Sequence, residues 1–379
     1  MDRTTVDRYE DQGRRWAATR QPVRRDAARA FGASVAPPLA RVDLGCGAGR
    51  YTADLGPGVI GLDAARAMLE QCRAVVPGVP LVQGDLEALP FGSQTLHGGW
   101  ANMSYHHLPS TRLPMALADL HRALVVGAPV DLQFLAGDYE GAAMAYDDIG
   151  GRYFAAWHDE RLTDVMHGAG FTDVAVSLTG ADPSDAGPAD AADGVVQVAA
   201  TRARTLADTV GAGMRLLVVG LNPSLYAADT GVAFGRPGNR FWPAAIGAGL
   251  VTRDRDPVDA LLRHGVGMTD LVKRATARAD AVTKSEYRDG LARVDRLVRW
   301  LVPSTVCLVG LAGWRAAVCA QAVAGRQPER VGGRPVYVMP STSGANAHAS
   351  LDDLSAHLAA AWACAETADW VHEGAEPLH

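Results

Sequence analysis

The run Leu217-Val218-Val219-Gly220-Leu221-Asn222-Pro223-Ser224 reads as an apolar strand that enters a tight turn and presents one amide side chain at its end. A second stretch far downstream has the same layout. There Pro335-Val336-Tyr337-Val338-Met339 is strand-like, and the loop Pro340-Ser341-Thr342-Ser343-Gly344 follows it. Two such strands in one α/β sheet place both loops at its carboxyl edge, where open sheets build their sites. Between and beyond them, Val306-Cys307-Leu308-Val309-Gly310 is a buried-type strand with a helix expected to start near Gly313. Residues 350–363 read as an amphipathic helix with Leu351, Leu354 and Leu358 on one face and Ser350 as its N-cap. Strand and helix alternation of this kind implies a mainly parallel sheet.

Further blocks lie between the two strand ends: Thr230-Gly231-Val232-Ala233-Phe234-Gly235-Arg236-Pro237-Gly238-Asn239-Arg240-Phe241-Trp242 and Gly267-Met268-Thr269-Asp270-Leu271-Val272. With Gly220-Leu221-Asn222-Pro223 and Met339-Pro340-Ser341, these four ordered blocks resemble the mismatch-specific uracil-DNA and thymine-DNA glycosylase family over residues 214–365. The resemblance implies a monofunctional DNA glycosylase that flips uracil, or mispaired thymine, out of duplex DNA and hydrolyses its N-glycosidic bond. An amide cannot take a proton from water at neutral pH, so Asn222 would orient the water through its carbonyl oxygen. By the same resemblance Gly220, Leu221, Phe234 and Asn239 form the base pocket, with Phe234 stacking on the base and backbone N–H groups around Leu221 meeting its carbonyls. Ser341, Thr342, Ser343, Gly344, Ala345 and Asn346 form the loop that meets the flanking phosphates and wedges the duplex. Where relatives carry a bulky Leu or Arg wedge, this loop has Ala345, Asn346, Ala347 and His348, so a preference for guanine opposite comes from the resemblance alone. Read without it, Phe234 is more often a core aromatic than a stacking platform, and Arg236, Arg240, Arg274 and Arg278 could track phosphate, though a lone surface Arg is usually only solvated.

The first half carries another signature. Arg41-Val42-Asp43-Leu44-Gly45-Cys46-Gly47-Ala48-Gly49-Arg50 is a short strand running into a glycine-rich turn, and Val59-Ile60-Gly61-Leu62-Asp63 is a second strand ending in an acid. Glycines let a backbone approach a cofactor, and a carboxylate at the next strand end can take both hydroxyls of a ribose. A dinucleotide fingerprint wants Gly where Arg50 stands. The run instead resembles motif I of class I S-adenosylmethionine-dependent methyltransferases, which implies cofactor contacts from Asp43, Gly45, Gly47, Gly49 and Asp63, then from Asp85 on the adenine and Leu86 on its ring. The N-terminal helix, through Tyr9 and Trp16, would cap the cofactor, and Ser104-Tyr105-His106-His107-Leu108 would face the methyl acceptor. The fourth strand lacks both the Asp/Asn-Pro-Pro-aromatic run and the Pro-Cys pair of base-directed DNA methyltransferases, which leaves the acceptor unassigned.

Length and composition suit two globular domains: 379 residues, 48% hydrophobic and 21% charged. The expected fold is therefore two three-layer α/β/α domains. Residues 1–204 would be methyltransferase-like and 205–365 glycosylase-like, with 366–379 as a tail. Gly194-Val195-Val196-Gln197-Val198-Ala199-Ala200 would close the first sheet against Val174-Ala175-Val176-Ser177, making the acidic stretch 179–193 a hairpin loop. Net charge is −6, most of it in the first domain and the tail, which leaves the second domain mildly basic, as a duplex-DNA partner requires. The five cysteines show no CxxC pair, so neither metal nor iron–sulfur cluster is expected. Without a secretory or membrane-spanning run, a cytoplasmic monomer is expected. Two other readings remain: a DNA-lesion reader without turnover, and a methyltransferase that the second domain delivers to DNA.

Overall fold

Apolar residues alternate with glycine-rich turns in both halves, and each half folds around its own sheet. The computed structural model describes residues 2–19, 21–144, 147–179, 194–346 and 348–365. The acidic stretch from residue 180 to 193, the tail 366–379 and Ala347 lie outside the described residues. The chain divides into two compact units, Met1–Ala203 and Arg204–His379.

In the first unit the strands are β1 (Arg41–Leu44), β2 (Val59–Asp63), β3 (Leu81–Gln83), β4 (Gly99–Asn102), β5 (Pro129–Leu135), a small pair β6 (Glu140–Gly141) and β7 (Phe154–Ala155), β8 (Phe171–Thr179) and β9 (Val195–Arg202). The main sheet runs β3-β2-β1-β4-β5-β9-β8. Its first five strands are parallel, and β9 pairs antiparallel with both β5 and β8, with Val176 opposite Val198. Helices α1 (Arg3–Thr19), α2 (Arg25–Ser34), α3 (Arg66–Val75), α4 (Leu113–Ala123) and α5 (Asp159–Gly168) accompany it. The order reverses at β1, which puts the Gly45–Gly49 turn and the end of β4 at a topological switch point.

The second unit contains β10 (Leu216–Gly220), β11 (Val266–Asp270), β12 (Thr305–Val309), β13 (Gly325–Val331) and β14 (Arg334–Met339) in the order β11-β10-β12-β14-β13. All are parallel except the edge strand β13. Its helices are α6 (Leu225–Thr230), α7 (Phe241–Gly247), α8 (Pro257–His264), α9 (Lys284–Leu301), α10 (Leu311–Ala317) and α11 (Leu351–Ala363). Leu216, Val218, Val266, Met268, Cys307, Tyr337 and Met339 share one core with Phe241, Trp242, Leu354 and Leu358. Both units are thus mixed α/β with largely parallel sheets. Ser350 caps α11 in a reciprocal box with Asp353, and α10 starts at Leu311, two residues before the expected Gly313. Leu351, expected on the buried face, is exposed because it opens the first turn. No described helix is long and apolar enough to cross a membrane, and no described His, Cys, Asp and Glu side chains group to hold a metal ion.

Candidate active site

The turn after β10 is zipped to the segment after β11. Leu271 N donates to Gly220 O (2.9 Å), Val272 N to Leu221 O (3.0 Å) and Thr276 N to Pro223 O (3.1 Å). This frame fixes the Asn222 amide, whose Nδ2 donates to Thr276 Oγ1 (2.7 Å), Arg274 O (3.0 Å) and Pro223 O (3.3 Å). Carbonyl oxygens only accept, and the Thr276 hydroxyl already donates to Arg278 O (2.7 Å). The nitrogen must therefore face the protein, which turns Oδ1 the other way. Ser224 closes the turn by accepting from Ala227 N (3.1 Å) as the N-cap of α6.

Gly220 and Asp270 are paired across β10 and β11, and side chains at such positions emerge on the same face. A Cβ on Gly220 would lie 2.3 Å from Asp270 Oδ1 and 3.6 Å from Phe234 Cζ, so the missing side chain makes room for a carboxyl and a ring. Phe234 is held at φ 53, a left-handed conformation unusual for a bulky residue, and its ring stacks on Phe241 at 4.3 Å and 21°. Both readings of Phe234 meet here, because one face is packed on the core and the residue is only half-buried. Asn239 uses Oδ1 to accept from Phe241 N (2.9 Å), starting α7 with the atom that would otherwise face a base.

The loop after β14 folds on itself and against the Phe234 segment. Asn346 Nδ2 donates to Ser341 O (2.8 Å), Ser343 N to Ser341 Oγ (3.2 Å), and Asn346 N to Ser343 O (2.9 Å). Thr342 is buried and its carbonyl accepts from Arg240 N (2.9 Å). A Cβ on Gly344 would meet Gly238 O at 2.8 Å, so only glycine lets these loops touch, while Ala345 lies exposed. The Arg240 guanidinium donates to Ala349 O (2.5 Å), Asn346 O (2.6 Å) and Ser343 O (3.5 Å). It is thus a strut of the loop, where the sequence offered a phosphate contact or a solvated side chain. Arg274 pairs with Glu286 and Arg278 with Asp280, while Arg236 stays exposed. A cavity of about 340 Å³ opens beside the loop, lined by Leu311, Pro340, Ser341, Asn346, His348 and Ala349. Asn222 and Phe234 lie outside that lining.

Sequence reasoning passed over Asp270. The alternation of β11 places it on the face of Val266 and Met268, both core residues, and a carboxylate at that parity was the available signal. Burial pushes its pKa up to about 6; Lys273 and Arg293 pull it down and Asp208 pushes it up. Both cations are engaged by Asp208, at 2.7 Å from Lys273 Nζ and 2.9 Å from an Arg293 nitrogen. Burial alone would raise the Asp208 carboxyl, but these two partners hold it below the usual range.

In the first unit Gly45, Gly47 and Gly49 all take left-handed backbone conformations, and a Cβ on Gly45 would lie 2.4 Å from Ser104 Cβ. Asp63 ties the turn to β2: Oδ2 accepts from Gly47 N (2.8 Å) and Oδ1 from Ala65 N (2.9 Å). Burial lifts its pKa to about 6 against these bonds. A carboxylate offers roughly four acceptor sites; backbone N–H groups of Gly47, Ala65 and Ala64 take part of that capacity, and what is left can meet a ribose hydroxyl, as a nucleoside cofactor needs. Asp43 lies beneath the turn, accepts from Thr52 Oγ1 (2.6 Å) and is lifted by burial to about 7. Asp85 Oδ1 accepts from Glu87 N (3.0 Å), and Leu86 is buried. Helix α1 covers the turn: Tyr9 and Trp16 pack on Ala48, Ala65 and Met68, and Glu10 accepts from Arg66 N and Ala67 N at the start of α3.

His106 and His107 are buried after β4. His107 Nδ1 lies 2.7 Å from Tyr153 O, and its Nε2 3.0 Å from Tyr9 Oη and 3.2 Å from His106 Nε2. Burial, then the Arg152 charge, pushes His107 down to about 3, and burial drives His106 well below the usual histidine range. Both rings are therefore neutral at physiological pH.

Residues 207–365 match the family model of the Uracil DNA glycosylase superfamily, and residues 42–127 match that of a methyltransferase domain. Among solved structures, the chain is similar to a SAM-dependent methyltransferase of Thermotoga maritima, described as a possible histamine N-methyltransferase. The identity is 19% over 52% of this chain and 99% of the other, with a TM-score of 0.41. It is also similar to an S-adenosylmethionine-dependent methyltransferase of Mesorhizobium loti, at 20% identity over 47% of this chain and 100% of the other, with a TM-score of 0.35. A third is the 1,6-didemethyltoxoflavin-N1-methyltransferase of Burkholderia thailandensis, at 20% identity over 52% and 88%, with a TM-score of 0.40.

Proposed function

We propose that the second unit is a DNA glycosylase that removes uracil, and mispaired thymine, from duplex DNA and leaves an abasic site. The observation that carries this is the Asn222 amide, whose nitrogen is anchored on two obligate acceptors and a hydroxyl while Oδ1 is turned away to hold a water. In the reaction the C1′–N bond breaks with its electron pair passing to the base. The water oxygen bonds to C1′, and its proton ends on the base or in solvent. Asn222 orients the water without accepting the proton, so the rate depends on how well the base leaves. Phe234, backed by Phe241, offers the ring on which a flipped base stacks. The loop 341–346, braced by Arg240, presents its exposed residues Ser343 and Gly344 for flanking phosphates. The test is to incubate the protein with G·U, G·T and A·U duplexes and single-stranded uracil DNA, then cleave abasic sites with alkali. Duplex binding with no strand cleavage on any substrate would replace this reading with that of a lesion reader.

The first unit, on the same footing, is a methyltransferase that binds S-adenosylmethionine through the Gly45–Gly49 turn, Asp63, Asp85 and Leu86. When bound, that group supplies an electrophilic methyl. The protein's part is to orient it against an acceptor, which requires alignment more than any proton-transfer residue. The left-handed glycines and the Asp63 carboxylate at the end of β2, fixed by the turn's own N–H groups, support this reading.

A further inference from the structure

We propose that Cys46 and Cys72 are an oxidation site: peroxide converts their thiols into a disulfide that ties the glycine turn to α3 and closes the nucleoside site, and bound cofactor opposes that change. This rests on the methyltransferase reading of the first unit. Cys46 stands in the turn itself, between Gly45 and Gly47, and its N–H and that of Gly45 donate to Leu62 O (2.9 and 2.8 Å). Cys72 lies on α3, packed against the same turn. Two glycines leave the room that the sulfurs fill. A Cβ on Gly49 would come within 2.7 Å of Cys72 Sγ, and one on Gly61 within 3.1 Å of Cys46 Sγ. Both thiols are free and share one buried cluster with Leu69 and Val76, Cys46 being 8% exposed and Cys72 0%.

Buried cysteines are ordinarily inert, because the thiolate is the nucleophile and an apolar setting disfavours it. This pair departs from that rule. The neighbouring Cys46 thiol holds Cys72 below the usual range, whereas Cys72, then burial, push Cys46 well above it. The more exposed sulfur is the one peroxide reaches, and the more acidic one resolves the product. In the first step the Cys46 sulfur attacks a peroxide oxygen, the O–O bond breaks, and the departing hydroxide takes the thiol proton as water, leaving a sulfenic acid. In the second the Cys72 sulfur attacks the Cys46 sulfur, the S–O bond breaks, and the leaving hydroxide takes the Cys72 proton. Peroxide is the two-electron oxidant, and both of its oxygens end as water. Drawing Cys46 onto α3 turns the adjacent Gly47, whose N–H reaches Asp63 Oδ2 at 2.8 Å, and so displaces the carboxylate proposed for the ribose. Disulfide and cofactor compete for one shape of the turn, so each opposes the other.

The test treats the full chain with hydrogen peroxide, blocks the remaining thiols and cuts with trypsin. Peptides 42–50 and 67–73 are expected to be joined, with loss of the two thiol hydrogens. S-adenosylmethionine at about ten times its Kd should slow that joining about tenfold. In melting experiments the reduced protein should gain a shift from the cofactor, the oxidised protein should lose it, and dithiothreitol should restore it. Cys72→Ser should keep the shift after peroxide. Absence of the joined peptide, or a fully joined protein with the reduced protein's cofactor shift, would overturn the proposal. Should Cys72→Ser fail to fold, reversal by dithiothreitol in the wild type carries the same decision. If the cofactor shifts neither the reduced nor the oxidised form, the methyltransferase reading fails. The joined peptide then keeps the oxidation site on its own, and its absence removes it.

Discussion

At the scale of single residues, the second unit gathers groups in unfavourable states. Phe234 holds φ 53, where a β-carbon costs roughly 1–2 kcal/mol and glycine almost nothing. Phe234→Gly should therefore be more stable than Phe234→Ala by about 1 kcal/mol in urea unfolding, although both lose the ring and weaken uracil release. If the alanine variant is the more stable, the backbone is not strained there. Asp270 is similar in kind. Its pKa is raised in the folded state, so its stabilising contribution is complete below its unfolded value near 4 and is lost as pH rises through about 6. Asp270→Asn should thus gain more melting temperature relative to wild type at pH 7.5 than at pH 4.5. Asn222 was legible from its place after an apolar strand. The pairing of Gly220 with Asp270 was not, because it depends on the register between strands 50 residues apart.

At the scale of elements, the apolar strands were the readable part. β2 spans Val59–Asp63 as its pattern suggests, and β10 and β14 each begin one residue earlier than expected. β13 escaped because its residues alternate half-buried and exposed around Pro328, as an edge strand tolerates and a hydrophobic pattern cannot reveal. The loop after β14 was recognised as a loop, but its rigidity comes from Arg240, 100 residues upstream of Pro340. One guanidinium holding three carbonyls is a geometry that Lys cannot copy. Arg240→Lys should therefore raise hydrogen exchange across residues 343–349 nearly as much as Arg240→Ala, and unchanged protection in either variant would show that the loop stands without the strut. Capping is a more local matter: Ser350→Ala should cost about 1 kcal/mol by removing the bonds its hydroxyl makes with the Asp353 N–H and carboxylate.

At the scale of the whole molecule, one chain carries a glycosylase-superfamily domain and a methyltransferase domain, and each proposed chemistry can be tested without the other. S-adenosylmethionine should raise the melting temperature of the first unit, since a ligand bound by the native state must stabilise it. Asp63→Ala should remove most of that shift and leave uracil release by the second unit untouched. A full cofactor shift in that variant would take Asp63 out of the ribose site. The central claim belongs to the second unit and to one amide held by Thr276, Arg274 and Pro223. It is tested most directly by single-turnover release of uracil from a G·U duplex by the wild type and by Asn222→Ala, with duplex binding measured beside it. The account expects abasic sites from the wild type, a loss of about 100-fold or more in the variant, and binding preserved in both. Equal release by the two proteins would contradict it.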